Sequence, residues 1–158
     1  MKEHRVRIAH HAVEQGRGRL VSVGLGSCVA IAIHDPATKV GALAHVLLPE
    51  AARGEAVANR ARFAKSAVPL LLEEMRARGA KGPFVAKLAG GAGVFGRTLS
   101  AGTRVGQRNV EASRAALKAA RVRIVGEDVG GESGRTVSFD VASGRLKVRS
   151  VRGSERVL

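Results

Sequence analysis

The chain has no Trp, no Tyr and only four Phe in 158 residues, so it lacks the aromatic platforms on which proteins stack nucleic-acid bases. It has a single cysteine, Cys28, which excludes an internal disulfide and any thiolate-rich metal site. Acidic residues are scarce too: 13 Asp and Glu against 27 Lys and Arg leave a formal charge of +14. A charge of that size invites a nucleic-acid partner. The arginines are nevertheless scattered along the whole length, and no helix-turn-helix, zinc-finger or RNA-recognition signature is present. Long apolar runs are missing, so no membrane insertion is expected, and the start Met1-Lys2-Glu3-His4-Arg5 is charged where a signal peptide would be apolar. A cytoplasmic location, where a thiol stays reduced, is the expectation. His, Asp and Glu do not cluster, and His10-His11 are adjacent rather than a turn apart. That pair reads as a solvated strand end, and neither a metal nor an organic cofactor is expected.

What is present is a hydrophobic content of 45%, enough for one domain over residues 1–158, and one stretch that carries chemistry. Gly24-Leu25-Gly26-Ser27-Cys28-Val29 is followed by Ala44-His45. Residues 28–34 and 41–48 read as two apolar strands, and Asp35-Pro36-Ala37-Thr38-Lys39 between them has the composition of a turn. In such a hairpin, paired residue numbers share a constant sum, and any odd sum places positions 28 and 45 on one face. A sum of 73 sets them opposite each other, and 75 sets them diagonally at about 7 to 8 Å. An even sum separates them. A nucleophilic thiol needs a nearby base, and His45 can serve. The competing reading is that Cys28 is a small buried hydrophobe. Gly24 and Gly26 permit a sharp backbone approach, and N–H groups near Gly26 and Ser27 could then face a developing oxyanion.

Farther along, Pro49 to Asn59 reads as a polar loop beside this pair. A helix is expected from Arg60 to Arg78 with Phe63, Ala67, Leu70, Leu71 and Met75 on one face, kinked at Pro69 or restarted at Ser66. A strand at Phe84–Ala89 leads to Gly91, Gly93 and Gly96, which have dinucleotide-binding spacing but read as a tight bend. Arg97–Gly102 is a poor helix start, and no acidic residue follows at the needed distance. A second helix is expected at Asn109–Ala120, capped by Asn109 and exposing Arg114, Lys118 and Arg121. Strands are expected at Val122–Glu127, Thr136–Val141 and Arg145–Val151. Short strands with two helices imply an α+β domain.

The Gly24–Ala30 block, Asp35-Pro36 and Gly41–Pro49 resemble the signature of CheD, the chemoreceptor glutamine deamidase family of bacterial and archaeal chemotaxis. Lys87–Ala92, Phe95, Gly106-Gln107-Arg108-Asn109-Val110-Glu111, Glu127–Gly131, Arg135 and Gly144 resemble its later blocks in the same order. The resemblance implies a three-layer α/β/β sandwich with helices on one side of packed, largely antiparallel sheets. It implies hydrolysis of receptor glutamine amides to glutamate, with Cys28 as nucleophile and His45 as base and acid. The family's third residue is a Thr, and Ser22 stands at the matching position. Val94 and Lys65 are further departures, where Met and Asp are common. The implied partners are the cytoplasmic helices of methyl-accepting receptors, to which the +14 charge could steer the protein. The CheC phosphatase is a further partner, and the chain itself is expected to be a monomer. Two alternatives accompany the resemblance: a regulator acting mainly by docking, and a receptor glutamyl methylesterase.

Overall fold

The computed structural model describes residues 2–93 and 101–158. Its elements are β1 (Glu3–Arg5), β2 (His11–Gln15), β3 (Arg19–Leu25), β4 (Val29–Asp35), β5 (Val40–Val46), a single 3-10 turn at Arg60–Arg62, α1 (Ala64–Ala77), β6 (Val85–Gly90), α2 (Ala101–Ala119), β7 (Arg123–Val129), β8 (Arg135–Asp140), β9 (Leu146–Ser150) and β10 (Glu155–Val157). The strands form two five-stranded sheets, ordered β2-β5-β4-β6-β7 and β1-β3-β8-β9-β10. Only β1 with β3 and β6 with β7 pair in parallel; the other described pairings are antiparallel. Both helices cover one face of the first sheet, and the second sheet covers its other face, which makes the expected α/β/β order of layers.

This layering explains the composition of the central hairpin. Every residue of β4 and of β5 is buried, because both faces of their sheet are covered. Val29, Ile31 and Ile33 of β4 and Val40, Ala42, Ala44 and Val46 of β5 face the helices. Ala30, Ala32 and Leu43 face the second sheet, as does Cys28 just ahead of β4. The turn is held by Asp35, whose carboxylate accepts from Thr38 Oγ1 at 2.7 Å and from Lys81 N at 3.2 Å.

The two helices depart from the expected bounds for local reasons. Asn59 caps the 3-10 turn through Oδ1, which accepts from Ala61 N at 3.1 Å. Phe63 is then extended to bridge Leu48, so α1 begins at Ala64. No new start occurs at Ser66: α1 runs through Pro69, which is exposed, as is Lys65, whose carbonyl loses its usual helical donor. Leu70 is only half buried, while Ala64, Val68 and Leu72 join Ala67, Leu71 and Met75 in the core.

Helix α2 begins at Ala101, and Asn109 is a buried residue within it rather than its cap. Its early turns were hard to read because Gly106 weakens the helical signal. That glycine is there for contact: a Cβ at Gly106 would lie 2.6 Å from Ala92 O and 2.7 Å from Gly91 O. The bend at Gly90–Gly93 therefore packs directly on α2. Arg114, Lys118 and Arg121 are exposed as expected. The expectations for Val94, Phe95, Gly96 and Arg97–Ser100 lie outside the described residues. Strands β1, β2, β3 and β10 were not anticipated beyond the strand end at His11, whose Nε2 meets Glu74.

The Gly91 contact is testable by denaturation. Gly91 has φ +68°, and a Cβ there would lie 2.3 Å from Val110 Cγ2 and 2.9 Å from Gly106 O. Gly91→Ala should lower unfolding free energy by about 3 kcal/mol, from left-handed strain plus overpacking. Gly153 has φ +94° with open space around it, so Gly153→Ala should cost only about 1 kcal/mol. Equal urea midpoints for the two variants would show that the bend is not tightly packed.

Candidate active site

The geometry starts from the β4–β5 register. Val29 pairs with Val46 and Ala30 with His45, so paired numbers sum to 75. By that parity Cys28 and His45 share the face turned toward the second sheet, set diagonally. The strands stop pairing beyond Val29 and Val46. Cys28 therefore sits where the ladder opens, next to Leu47, its notional partner.

The chain reaches Cys28 through an irregular end of β3. A bulge lies between Ser22 and Leu25, and Gly24 takes φ +72°, a left-handed conformation that glycine adopts without strain. From there three successive carbonyls are pinned. Gly26 O accepts from Ala92 N at 2.8 Å and Cys28 O from Gly91 N at 2.7 Å. Ser27 O accepts from Asn109 Nδ2 at 2.9 Å. In a planar trans peptide the N–H points opposite to the C=O. Fixing Gly26 O and Ser27 O thus turns the N–H groups of Ser27 and Cys28 away from Ala92 and Asn109, and the Cys28 N–H lies by its own thiol. Close packing maintains this arrangement: a Cβ on Gly90 would lie 2.3 Å from Cys28 O.

A buried arginine holds the bend in turn. Arg135 of β8 bonds Asp128 Oδ1 at 2.8 Å, Gly90 O at 3.1 Å and Gly130 O at 2.6 Å. It joins the two sheets beside the Cys28 loop. A surface cleft of about 460 Å³ opens between Gln107 and Glu111 of α2 and Gly130-Gly131, but neither Cys28 nor His45 lines it.

His45 and Ser22 are more deeply placed than Cys28, at 1%, 0% and 6% exposure. The N-terminal segment crosses above His45: its N donates to His10 O at 3.1 Å, and its O accepts from Ala9 N at 2.8 Å. Neither ring nitrogen of His45 has a hydrogen-bond partner among the described residues. Ser22 Oγ does not reach the imidazole. It donates to Val6 O at 2.7 Å, and the Val6 backbone is also the polar group that acts on the His45 ring. Ser22 thus bonds the Val6 backbone that lies near the His45 ring, without meeting the ring itself.

This arrangement occurs in a chain with clear relatives. The family model described as CheD chemotactic sensory transduction matches residues 47–150. A probable chemoreceptor glutamine deamidase CheD of Pyrococcus abyssi is 42% identical over 155 residues, covering 98% of this chain and 95% of that protein. The chain belongs to the CheD family. The chemoreceptor glutamine deamidase CheD of Thermotoga maritima is likewise 42% identical, over 95% of this chain and 93% of that one. A probable CheD of Archaeoglobus fulgidus is 44% identical over 86% of each chain.

The electrostatics of this CheD chain favour two neutral groups. Burial pushes the Cys28 thiol above its usual value, with its own backbone N–H opposing the rise. Burial also pushes His45 below its usual value, with the Val6 backbone opposing the fall. A neutral imidazole and a neutral thiol on one face are a base and an acid with the proton not yet moved. Sequence reasoning missed Val6 and the reach of Asn109. Val6 acts through its backbone, which leaves no mark on residue type; Asn109 read as a helix cap, a role its residue type suits.

Alkylation of the single thiol reads its state directly. The rate with iodoacetamide should rise with pH through a midpoint above 9.0, the thiol's usual value, and should be far slower in folded than in urea-unfolded protein. A midpoint below that value would mean a preformed thiolate.

Proposed function

We propose that this protein hydrolyses the side-chain amides of glutamines in methyl-accepting chemoreceptors to glutamate, with Cys28 as nucleophile and His45 as general base and acid. The observation that carries the proposal is the odd β4–β5 register, with Ala30 paired to His45. It brings the chain's one thiol and a buried, unpartnered imidazole to one face, in a chain 42% identical to proteins named as chemoreceptor glutamine deamidases.

The chemistry runs in two halves. As the amide engages, His45 takes the Cys28 proton and the sulfur adds to the carboxamide carbon. The oxyanion is met by the Ser27 and Cys28 N–H groups, whose peptides are fixed by the pinned Gly26 and Ser27 carbonyls. His45 then protonates the amide nitrogen, the C–N bond breaks, and ammonia leaves a thioester. Water loses a proton to His45 and attacks the thioester carbon. The thiolate departs and recovers its proton from His45, and the product is glutamate. Ser22 acts by bonding the Val6 carbonyl, which fixes the backbone beside the ring rather than bonding the imidazole.

The substrate is an extended surface and not a small molecule. Receptor modification regions are helices rich in Glu and Gln, so the +14 charge favours their encounter with this protein. Among the described residues no helix is long and apolar enough to cross a membrane. The proposed setting is the cytoplasm, with the protein acting as a monomer and CheC as a docking partner.

Mass spectrometry of a receptor cytoplasmic fragment provides the test, since each deamidation adds about one mass unit as amide becomes acid. Specific glutamines should shift with the parent protein and remain unchanged with Cys28→Ala. His45→Ala should be slower by about 10²- to 10⁴-fold, and Ser22→Ala by about fivefold, the worth of one neutral hydrogen bond. Methyl-ester and amide forms of the same peptide, offered side by side, read the esterase alternative; hydrolysis of the ester alone would overturn the deamidase reading.

The pH profile carries a separate expectation. Because burial lowers the His45 pKa, the neutral base persists into acid, and the acid limb of kcat/KM should have its midpoint below 6.5, the usual imidazole value. A midpoint above that value would contradict a buried neutral base.

A further inference from the structure

Asn109 is fully buried inside α2, where asparagine is a poor helix former and where its neighbours along the same face, Val110, Ser113 and Leu117, are buried packing residues. Its Nδ2 donates to Ser27 O at 2.9 Å and to Leu47 O at 3.0 Å. Two carbonyl acceptors settle which end of the amide faces them, since only the NH₂ can donate to both. The Oδ1 atom has no partner among the described residues.

The two acceptors are informative. Ser27 immediately precedes Cys28, and Leu47 lies two residues after His45, just beyond the end of β5. In the register that pairs Ala30 with His45, Leu47 is also the position that would face Cys28. The interstrand ladder ends one pair short of it, and the two chain ends part. The Asn109 amide spans that gap and holds both ends by their backbones. Loss of the side chain takes the donor from two part-buried carbonyls and frees the Ser27–Cys28 peptide to rotate, and with it the Cys28 N–H.

We propose that Asn109 is a positioning residue for the reaction: by pinning the Ser27 and Leu47 carbonyls where β4 and β5 part, it sets the Cys28 loop against the His45 strand and holds the Cys28 N–H toward the developing oxyanion. The inference rests on the Cys28 and His45 reading given above. It assigns to Asn109 no contact with substrate, and its effect is on the rate of the chemical step rather than on docking.

The experiment compares Asn109→Leu, Asn109→Asp and Leu117→Ala in the full chain. Leu117 is buried in the same helix away from these carbonyls, so its truncation reports the cost of a loosened α2 alone. With a receptor fragment, Asn109→Leu should lower kcat by about a hundredfold, the usual cost of a small misplacement of reacting groups, while KM stays within about threefold. Leu117→Ala should leave kcat within about threefold although it lowers Tm. Asn109→Asp keeps the volume and, as a buried protonated acid, one donor; its kcat should fall between parent and Asn109→Leu, and it serves if the leucine variant does not fold. Amide hydrogen exchange of peptides covering residues 26–29 and 46–48 should rise in the Asn109 variants and not in Leu117→Ala. The proposal is overturned if a folded Asn109 variant keeps parental kcat, or if exchange in those segments rises no more than in Leu117→Ala. A parent protein without deamidation would instead sink the functional reading, and the exchange measurements would still decide whether Asn109 holds the two ends together.

Discussion

The pairing of Ala30 with His45 is the constraint on which the rest of the site depends. Strand side chains alternate with a period of two, so a slip of one residue would send His45 to the helix layer and leave Cys28 facing the second sheet. The register is protected by burial on both faces: Val29, Ile31 and Ile33 pack against the helices while Ala30 and Ala32 face the narrow gap between the sheets. Exchanging these sets would push branched side chains into a space sized for alanine and leave methyl groups under the helices. Packing the hairpin correctly and bringing thiol and imidazole together are one and the same requirement.

Around that hairpin, backbone groups do most of the positioning. Ala92 N and Gly91 N hold Gly26 O and Cys28 O, and Asn109 holds Ser27 O. These contacts need close approach, which is why glycines stand at positions 90, 91 and 106, where a Cβ would fall within 3 Å of the opposing backbone. Of the three glycines with dinucleotide-binding spacing, Gly91 belongs to a bend pressed onto a helix and onto the Cys28 loop, and Gly96 lies outside the described residues. Arg135 completes the arrangement by joining that bend to the second sheet through Gly90 O and Gly130 O.

The site is also locally unsatisfied. Both His45 nitrogens and Asn109 Oδ1 lack partners among the described residues, and a buried polar atom without a partner costs about 1–3 kcal/mol. In the proposed reaction, an imidazole left in this way can accept the thiol proton and donate to a leaving amine.

Much of this was legible in the chain itself. The apolar strands about an Asp-Pro turn, the single thiol, the shared parity of positions 28 and 45 under an odd register, and the blocks resembling CheD are all local or ordered along the sequence. The value of the register was not, because a sum of 75 depends on a four-residue loop closed by Asp35 and Val40, and turn composition alone does not set loop length. The start of α2 was hidden because Gly106 answers to Gly91 and Ala92, residues distant in sequence. Asn109 looked like a helix cap because its residue type suits one, and its acceptors, Ser27 and Leu47, lie 82 and 62 positions away. Sequence determined which side chains are candidates for the chemistry and which hairpin they belong to, since periodicity and residue type are local. Tertiary structure alone decided how the peptides around Cys28 are turned, because those orientations follow from backbone groups of three separate segments meeting at one place.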